Sequence, residues 1–295
     1  PDVHTLIFYP SSPNQALCGT DGGVHRANDI TENGGGTTPV DWTDLNNGYQ
    51  TTQVHAMAFD YQANVDIILA GFQDNGTWGS TGSTETDNWT EEFSGDGAYC
   101  AIVGNGLVRY VSSQNGNIYK FVYRANGSED YWTRITPSLN SPSFISPFII
   151  DPDNEDVMYM PDGNDIMRNN GLGSMDTYNQ SETSQNWTRL SNTGTSRSIT
   201  ALEVANGHLY YGTNNGEVFR MNNASSGTPS PTNISSNNFP GANVQCIQID
   251  PTNANSIFVV FSNYGVRSIY HSSDAGSSWT DISGNLEENA DGSGN

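Results

Sequence analysis

Trp187-Thr188-Arg189-Leu190 is one of five places where tryptophan is followed directly by threonine. The others are Trp42-Thr43, Trp89-Thr90, Trp132-Thr133 and Trp279-Thr280. Most of the pairs stand about 46 residues apart and the last gap is about twice that, which marks a radial or stacked repeat. Working outward from each pair gives the rest of the unit. A short alternating strand opens it: Val3–Tyr9, Gln53–Asp60, Ala98–Val103, Phe144–Asp151, Ile199–Ala205 and Val244–Asp250. A second strand follows, then a tight turn such as Asp74-Asn75-Gly76 or Asn214-Asn215-Gly216, whose residues tolerate the positive φ of two-residue hairpins. A third strand carries a recurring basic residue (Arg26, Lys120, Arg168, Arg220), and the fourth carries Trp-Thr-x-apolar. Unit five replaces that signature by Pro231-Thr232-Asn233-Ile234.

Four antiparallel strands per repeat of this length predict an all-β fold, a β-propeller with six visible four-stranded blades. The blades span 1–48, 49–95, 96–140, 141–192, 193–238 and 239–282, so the propeller occupies 1–282 and 283–295 is a polar tail or linker. Each tryptophan is expected to fill the wedge between neighbouring blades. No leftover strand is available to latch the ring, so a seventh blade from outside this stretch is the favoured expectation. The chain has no starting Met and no signal segment, and reads as a piece of something longer.

The surface must be polar without being strongly charged. Formal charge is −22, yet charged residues make up only 14%, and Lys120 is the single lysine. Such a field repels phosphate backbones and argues against nucleic acid. It suits divalent cations and neutral polar ligands such as glycans. No run approaches the length of a membrane helix, so membrane insertion is not expected. Cys18, Cys100 and Cys246 lie in apolar strand patterns and read as free thiols, with a Cys18–Cys246 bridge as an alternative.

Ser272-Ser273-Asp274-Ala275-Gly276-Ser277-Ser278-Trp279 matches Ser-x-Asp-x-Gly-x-x-Trp, the Asp-box that caps hairpins in bacterial-neuraminidase-repeat propellers. Ser272, Asp274, Gly276 and Trp279 are its structural residues. Together with 19–24, 42–48 and 71–77, this stretch resembles propellers of the sortilin and xyloglucan-hydrolase type. Similar propellers occur in large secreted Bacteroidota proteins that carry a type IX secretion sorting domain. The resemblance implies a secreted or outer-surface setting, with adhesion or carbohydrate binding as the role.

Sialidase chemistry would need converging arginines, whereas the basic residues here are spread around the repeat. For a xyloglucanase-type hydrolase the resemblance puts Asp21, in Thr20-Asp21-Gly22-Gly23, at the catalytic aspartate. A second carboxyl is required across the cleft and has no counterpart. The leading expectation is therefore a non-enzymatic module that presents loops to a glycan or surface protein. Its ligand-binding candidates are Trp78, the tryptophan outside the repeat position, with Tyr49 and His55. The other readings are the hydrolase and an architectural spacer. Asp74 and Asp96, on tight acidic turns, are the candidates for a bound calcium. No other cofactor is expected.

Overall fold

The computed structural model describes residues 3–9, 11–20, 23–31, 40–46, 53–59, 67–81, 88–263 and 265–284. They form six four-stranded antiparallel sheets, each built from consecutive strands in chain order. Blade 1 holds β1 (Val3–Tyr9), β2 (Ser12–Thr20), β3 (Gly23–Ala27) and β4 (Trp42–Asp44). Blade 2 holds β5 (Val54–Phe59), β6 (Ile68–Phe72), β7 (Gly76–Ser80) and β8 (Thr90–Phe93). Blade 3 holds β9 (Cys100–Val103), β10 (Val108–Ser113), β11 (Asn117–Tyr123) and β12 (Glu129–Arg134). Blade 4 holds β13 (Ile149–Asp151), β14 (Asn154–Asp162), β15 (Asp165–Asn169) and β16 (Trp187–Leu190). Blade 5 holds β17 (Ile199–Ala205), β18 (His208–Thr213), β19 (Val218–Asn222) and β20 (Pro231–Asn233). Blade 6 holds β21 (Val244–Asp250), β22 (Asn253–Phe261), β23 (Ile269–Ser272) and β24 (Thr280–Asp281). The helical content among the described residues is two single 3-10 turns. This is a β-propeller. The expected strand that is shortened most is β13, which starts at Ile149 instead of Phe144, because Pro147 has no N–H to give a ladder; β9 starts at Cys100 instead of Ala98.

The core is a series of wedges between blades. Tyr210, Val218 and Ile234 of blade 5 pack on Val244, Ile257 and Val259 of blade 6. Tyr159, Ile166 and Leu190 of blade 4 pack on Leu209, Tyr211 and Phe219 of blade 5. Tyr110 and Ile118 of blade 3 pack on Met158, Met160 and Met167 of blade 4. A smaller cluster joins Leu69 of blade 2 to Ile102 of blade 3.

In blades 4 and 6, hydrogen bonds show what the fourth-strand signature does. Trp187 Nε1 donates to Ile135 O at 2.8 Å, and Trp279 Nε1 donates to Ile234 O at 2.7 Å. Both acceptors are the apolar member of the preceding blade's four-residue signature. That apolar residue is itself tied to its own third strand, as in Ile135 N to Ile118 O (3.0 Å) and Ile234 N to Val218 O (2.9 Å). A partly buried indole still needs a partner for its N–H, and the neighbouring blade supplies it. The wedge expectation fails in the early blades: Trp42 and Trp89 are 40% and 39% exposed, and Trp89 packs edge-on against Phe72 of its own blade. Apolar side chains of the inner strand β1, including Leu6 and Ile7, are likewise exposed.

Candidate functional site

Register aligns the blades residue by residue. Opposite each fourth-strand threonine stands one third-strand residue: Arg26 with Thr43, Gly79 with Thr90, Lys120 with Thr133, Arg168 with Thr188, Arg220 with Thr232 and His271 with Thr280. One strand further in, the same rung carries Leu17, Leu69, Tyr110, Tyr159, Tyr210 and Phe258. On the inner strands it ends at Ile7, Ala58, Ala101, Ile149, Glu203 and Gln248. Four of these six inner positions are apolar, and Glu203 is the one that carries a charge.

Two basic side chains of this rung, Lys120 and Arg168, are used structurally. Lys120, buried, places Nζ 2.7 Å from Leu172 O of blade 4. Arg168, also buried, donates through Nη1 to Ala224 O and Gly227 O of blade 5, at 2.8 and 3.0 Å. Each cation therefore holds the loop between the third and fourth strands of the next blade. Burial pushes the Lys120 ammonium below its usual range, with Asp156 pulling it back up. Arg109 pairs with Glu92 of the preceding blade and lies 4.2 Å above the Tyr123 ring.

Inner strands of blades 2 to 6 surround two adjoining cavities of about 420 and 380 Å³ that share Met57, Cys100, Phe148, Ile149 and Glu203. Neither is lined by Lys, Arg or His. Gln248 Nε2 donates to Glu203 Oε1 at 2.9 Å across the blade 5–blade 6 junction. Burial raises the Glu203 carboxyl to about 7, against a small lowering from its hydrogen bond with the Ile249 backbone. Burial likewise raises the Cys100 thiol to about 12. Cys246 is raised by burial first and by the Glu203 charge second. Cys246 lines the smaller cavity. Both thiols stay protonated at neutral pH, so neither is an activated nucleophile. All three cysteines, with Cys18 buried in β2, are free.

Two further acids line the larger cavity, and both are tied to backbone. Asp151 accepts from Asp153 N at 2.9 Å, and burial raises its carboxyl. Glu155 Oε2 accepts from Gly104 N at 3.0 Å.

The residues singled out from sequence fall elsewhere. Asp21 and Tyr49 lie outside the described residues. Trp78 is half-buried on β7, and its indole N–H donates to Asn75 O at 2.6 Å, within its own hairpin. His55 is on β5, separated from β7 by β6, with Nε2 buried and unbonded. No hydrogen bond or ring contact among the described residues joins Trp78 to His55.

Asp96 Oδ1 accepts from Asp74 N at 3.2 Å, so the two acidic turns meet across the blade. Among the described residues no group of three or more His, Cys, Asp or Glu is arranged to hold a metal ion. The Ser272–Trp279 hairpin is a closed hydrogen-bond unit: Asp274 accepts from Ser272 Oγ, Ser278 N and Ser278 Oγ at 2.6–2.8 Å, and Gly276 N donates to Ser272 Oγ. These bonds, the Ser278 hydroxyl foremost, lower the Asp274 carboxyl to about 2.

Glu203 was not anticipated from the sequence. The available signal was a charge interrupting the apolar alternation of Ile199-Thr200-Ala201-Leu202-Glu203-Val204.

Comparison with solved structures finds a β-propeller neighbour. YCF48 from Cyanidioschyzon merolae is 15% identical, with a TM-score of 0.53 over 94% of this chain and 84% of that one. The computationally designed Ika8 protein is 13% identical, with a TM-score of 0.48 over 93% and 71% of the two chains. No protein-family model matches the chain, and no curated protein does.

Proposed function

We propose that this protein is a non-catalytic binding module that receives a glycan hydroxyl or a polar protein side chain at the Glu203–Gln248 pair. The observation that carries this reading is a hydrogen-bonding pair set into an otherwise apolar ring, beside cavities lined by no cation. Pockets that bind through a few placed polar groups in apolar walls have this composition. The negative overall charge and the resemblance to secreted propellers support an extracellular or outer-surface setting, with adhesion or substrate capture as the role. Calcium at the Asp74–Asp96 turn pair belongs to the same proposal, and a Tm that is the same in calcium and in EDTA would remove it.

The test of the main reading is a glycan array, with peptide arrays in parallel, probed by the intact chain and by Glu203→Ala. Loss of at least about tenfold in affinity for whatever the wild type binds is expected. Unchanged binding by the variant would sink the Glu203–Gln248 cavity as the site.

One observation favours a second reading, glycoside hydrolysis. A carboxyl raised to about 7 is in the range of a proton donor, and Asp151 and Glu155 share its cavity. Both of those acids are engaged by backbone N–H groups, which places them in turns and loop anchors. Turnover of a polysaccharide by the purified chain, abolished in Glu203→Gln, would establish hydrolysis and displace binding as the function.

A further inference from the structure

The outer edge of blade 3 has a feature that neither the cavity nor the core uses. β12 is the last strand of its sheet, and a segment of blade 4 lies along its free edge. Arg134 N donates to Asn179 O at 2.7 Å, and Asn179 Nδ2 returns a bond to Arg134 O at 2.8 Å. Thr133 Oγ1 donates to Asp176 O at 2.7 Å and accepts from Asn179 N at 3.1 Å. Covering an edge in this way protects it from pairing with other chains. It also grips the chain on both sides of Tyr178.

Tyr178 has φ +61°, in the left-handed region, where a bulky L side chain is rare and strained. Strain of this kind is normally offset by burial, yet Tyr178 is 67% exposed. Its ring lies 5.7 Å from that of half-buried Tyr131, inclined at 56°. Polar residues flank the pair in sequence: Asp130, ion-paired with Arg124, and exposed Asp176, Thr177 and Gln180. An aromatic ring is thus held in a costly conformation, by neighbours bonded to another blade, and presented to solvent.

We propose that the exposed Tyr178 ring, braced from the side by Tyr131, is a platform that stacks on a pyranose ring of a neutral glycan, a site separate from the cavity at Glu203. The face of an aromatic ring is negative and apolar, and it suits the C–H face of a sugar while side chains around it meet the hydroxyls. Asp130 and Asp176 on a chain of net charge −22 disfavour acidic sugars and phosphates. A protein partner fits less well: a stable interface needs roughly 800 Å² on each side around an apolar centre, and this pair is bordered by polar residues. The exposed Tyr178 ring matches the size of one sugar unit.

The experiment is native affinity electrophoresis of the intact chain in gels containing a soluble β-glucan, galactomannan or hydroxyethyl cellulose, with alginate as the acidic comparison. At least one neutral polymer is expected to retard the wild type. Tyr178→Ala and Tyr178→Gly are expected to weaken that affinity by at least about tenfold, whereas Tyr178→Phe retains it. Glycine accepts the left-handed conformation without strain, so Tyr178→Gly should melt no lower than wild type, which separates lost binding from lost folding. Retardation by alginate alone, no retardation by any polymer, or wild-type behaviour of both Tyr178→Ala and Tyr178→Gly would each overturn the platform. Loss in Glu203→Gln with Tyr178→Ala intact would also overturn it, and would leave the cavity reading standing.

Discussion

Glu203 occupies a rung position that is apolar in four of the other five blades, and its chemistry comes from what surrounds it. The carboxyl has an ordinary value of 4.5 and is raised to about 7 in the folded chain, chiefly by burial. The sign follows from linkage. Below about pH 4.5 the group is protonated in both states, and its relative contribution is at its fullest. As pH rises through 7 the unfolded chain has already released its proton while the folded chain resists, so stability falls. Glu203→Gln keeps a hydrogen-bonding group opposite Gln248 and removes the titration. The variant should therefore be more stable than wild type at pH 8, by about 1–3 kcal/mol, and nearly equal to it at pH 4.5. Urea midpoints at the two pH values measure this. A difference that is the same at both would remove desolvation as the cause.

At the scale of the element, the fourth strand and the third-strand cation are the devices that join blades. Trp187→Phe keeps most of the apolar bulk but leaves the buried Ile135 carbonyl without its donor, and should cost about 1–3 kcal/mol. The same substitution at exposed Trp42 should cost well under that. Equal shifts in urea midpoint for the two would refute the bridging role. Arg168→Met strands the carbonyls of Ala224 and Gly227, and a loss of about 2–3 kcal/mol is expected in the same assay.

Close approach matters as well. A Cβ on Gly71 would stand 2.0 Å from Ala98 O of the next blade, with no flexible side chain to yield. Gly71→Ala is expected to lower the Tm through overpacking, by about 1–3 kcal/mol in stability, and an unchanged Tm would mean that blades 2 and 3 sit further apart. The tryptophan period was legible because each signature is contiguous and repeats with its partner one blade back. The use of Lys120 and Arg168 was not legible. Their recurrence marked a position, but the acceptors are backbone carbonyls some 50 residues away, and a carbonyl leaves no trace in residue identity.

For the whole molecule, a net charge of −22 is spread over sheets whose buried cations are already committed to blade-to-blade bonds. Mutual repulsion of the remaining carboxylates works against the compact state, and salt screens it. Raising sodium chloride from about 0.02 M to about 0.5 M should lift the Tm by a few degrees, as read by calorimetry. A fall in Tm would show that attractive ion pairs such as Arg109–Glu92 outweigh the repulsion.

Patterns read within a single repeat reach as far as the architecture: six units of four strands and a turn, with a basic third-strand position in four of them and a tryptophan signature in five. Such features depend on neighbours within about a dozen residues, and periodicity makes them visible. The cavity and the edge platform depend on distance in space. Cys100, Gln248 and Phe148 desolvate or flank Glu203 from three other blades, and Thr133 and Arg134 grip the chain around Tyr178 from a blade away. Trp78 illustrates the limit from the other side, since its isolation in the sequence suggested a ligand and the fold gives its N–H to Asn75. Burial, strain and the partners of a polar group are properties of the packed ring, and they arise only when blades distant along the chain are brought side by side.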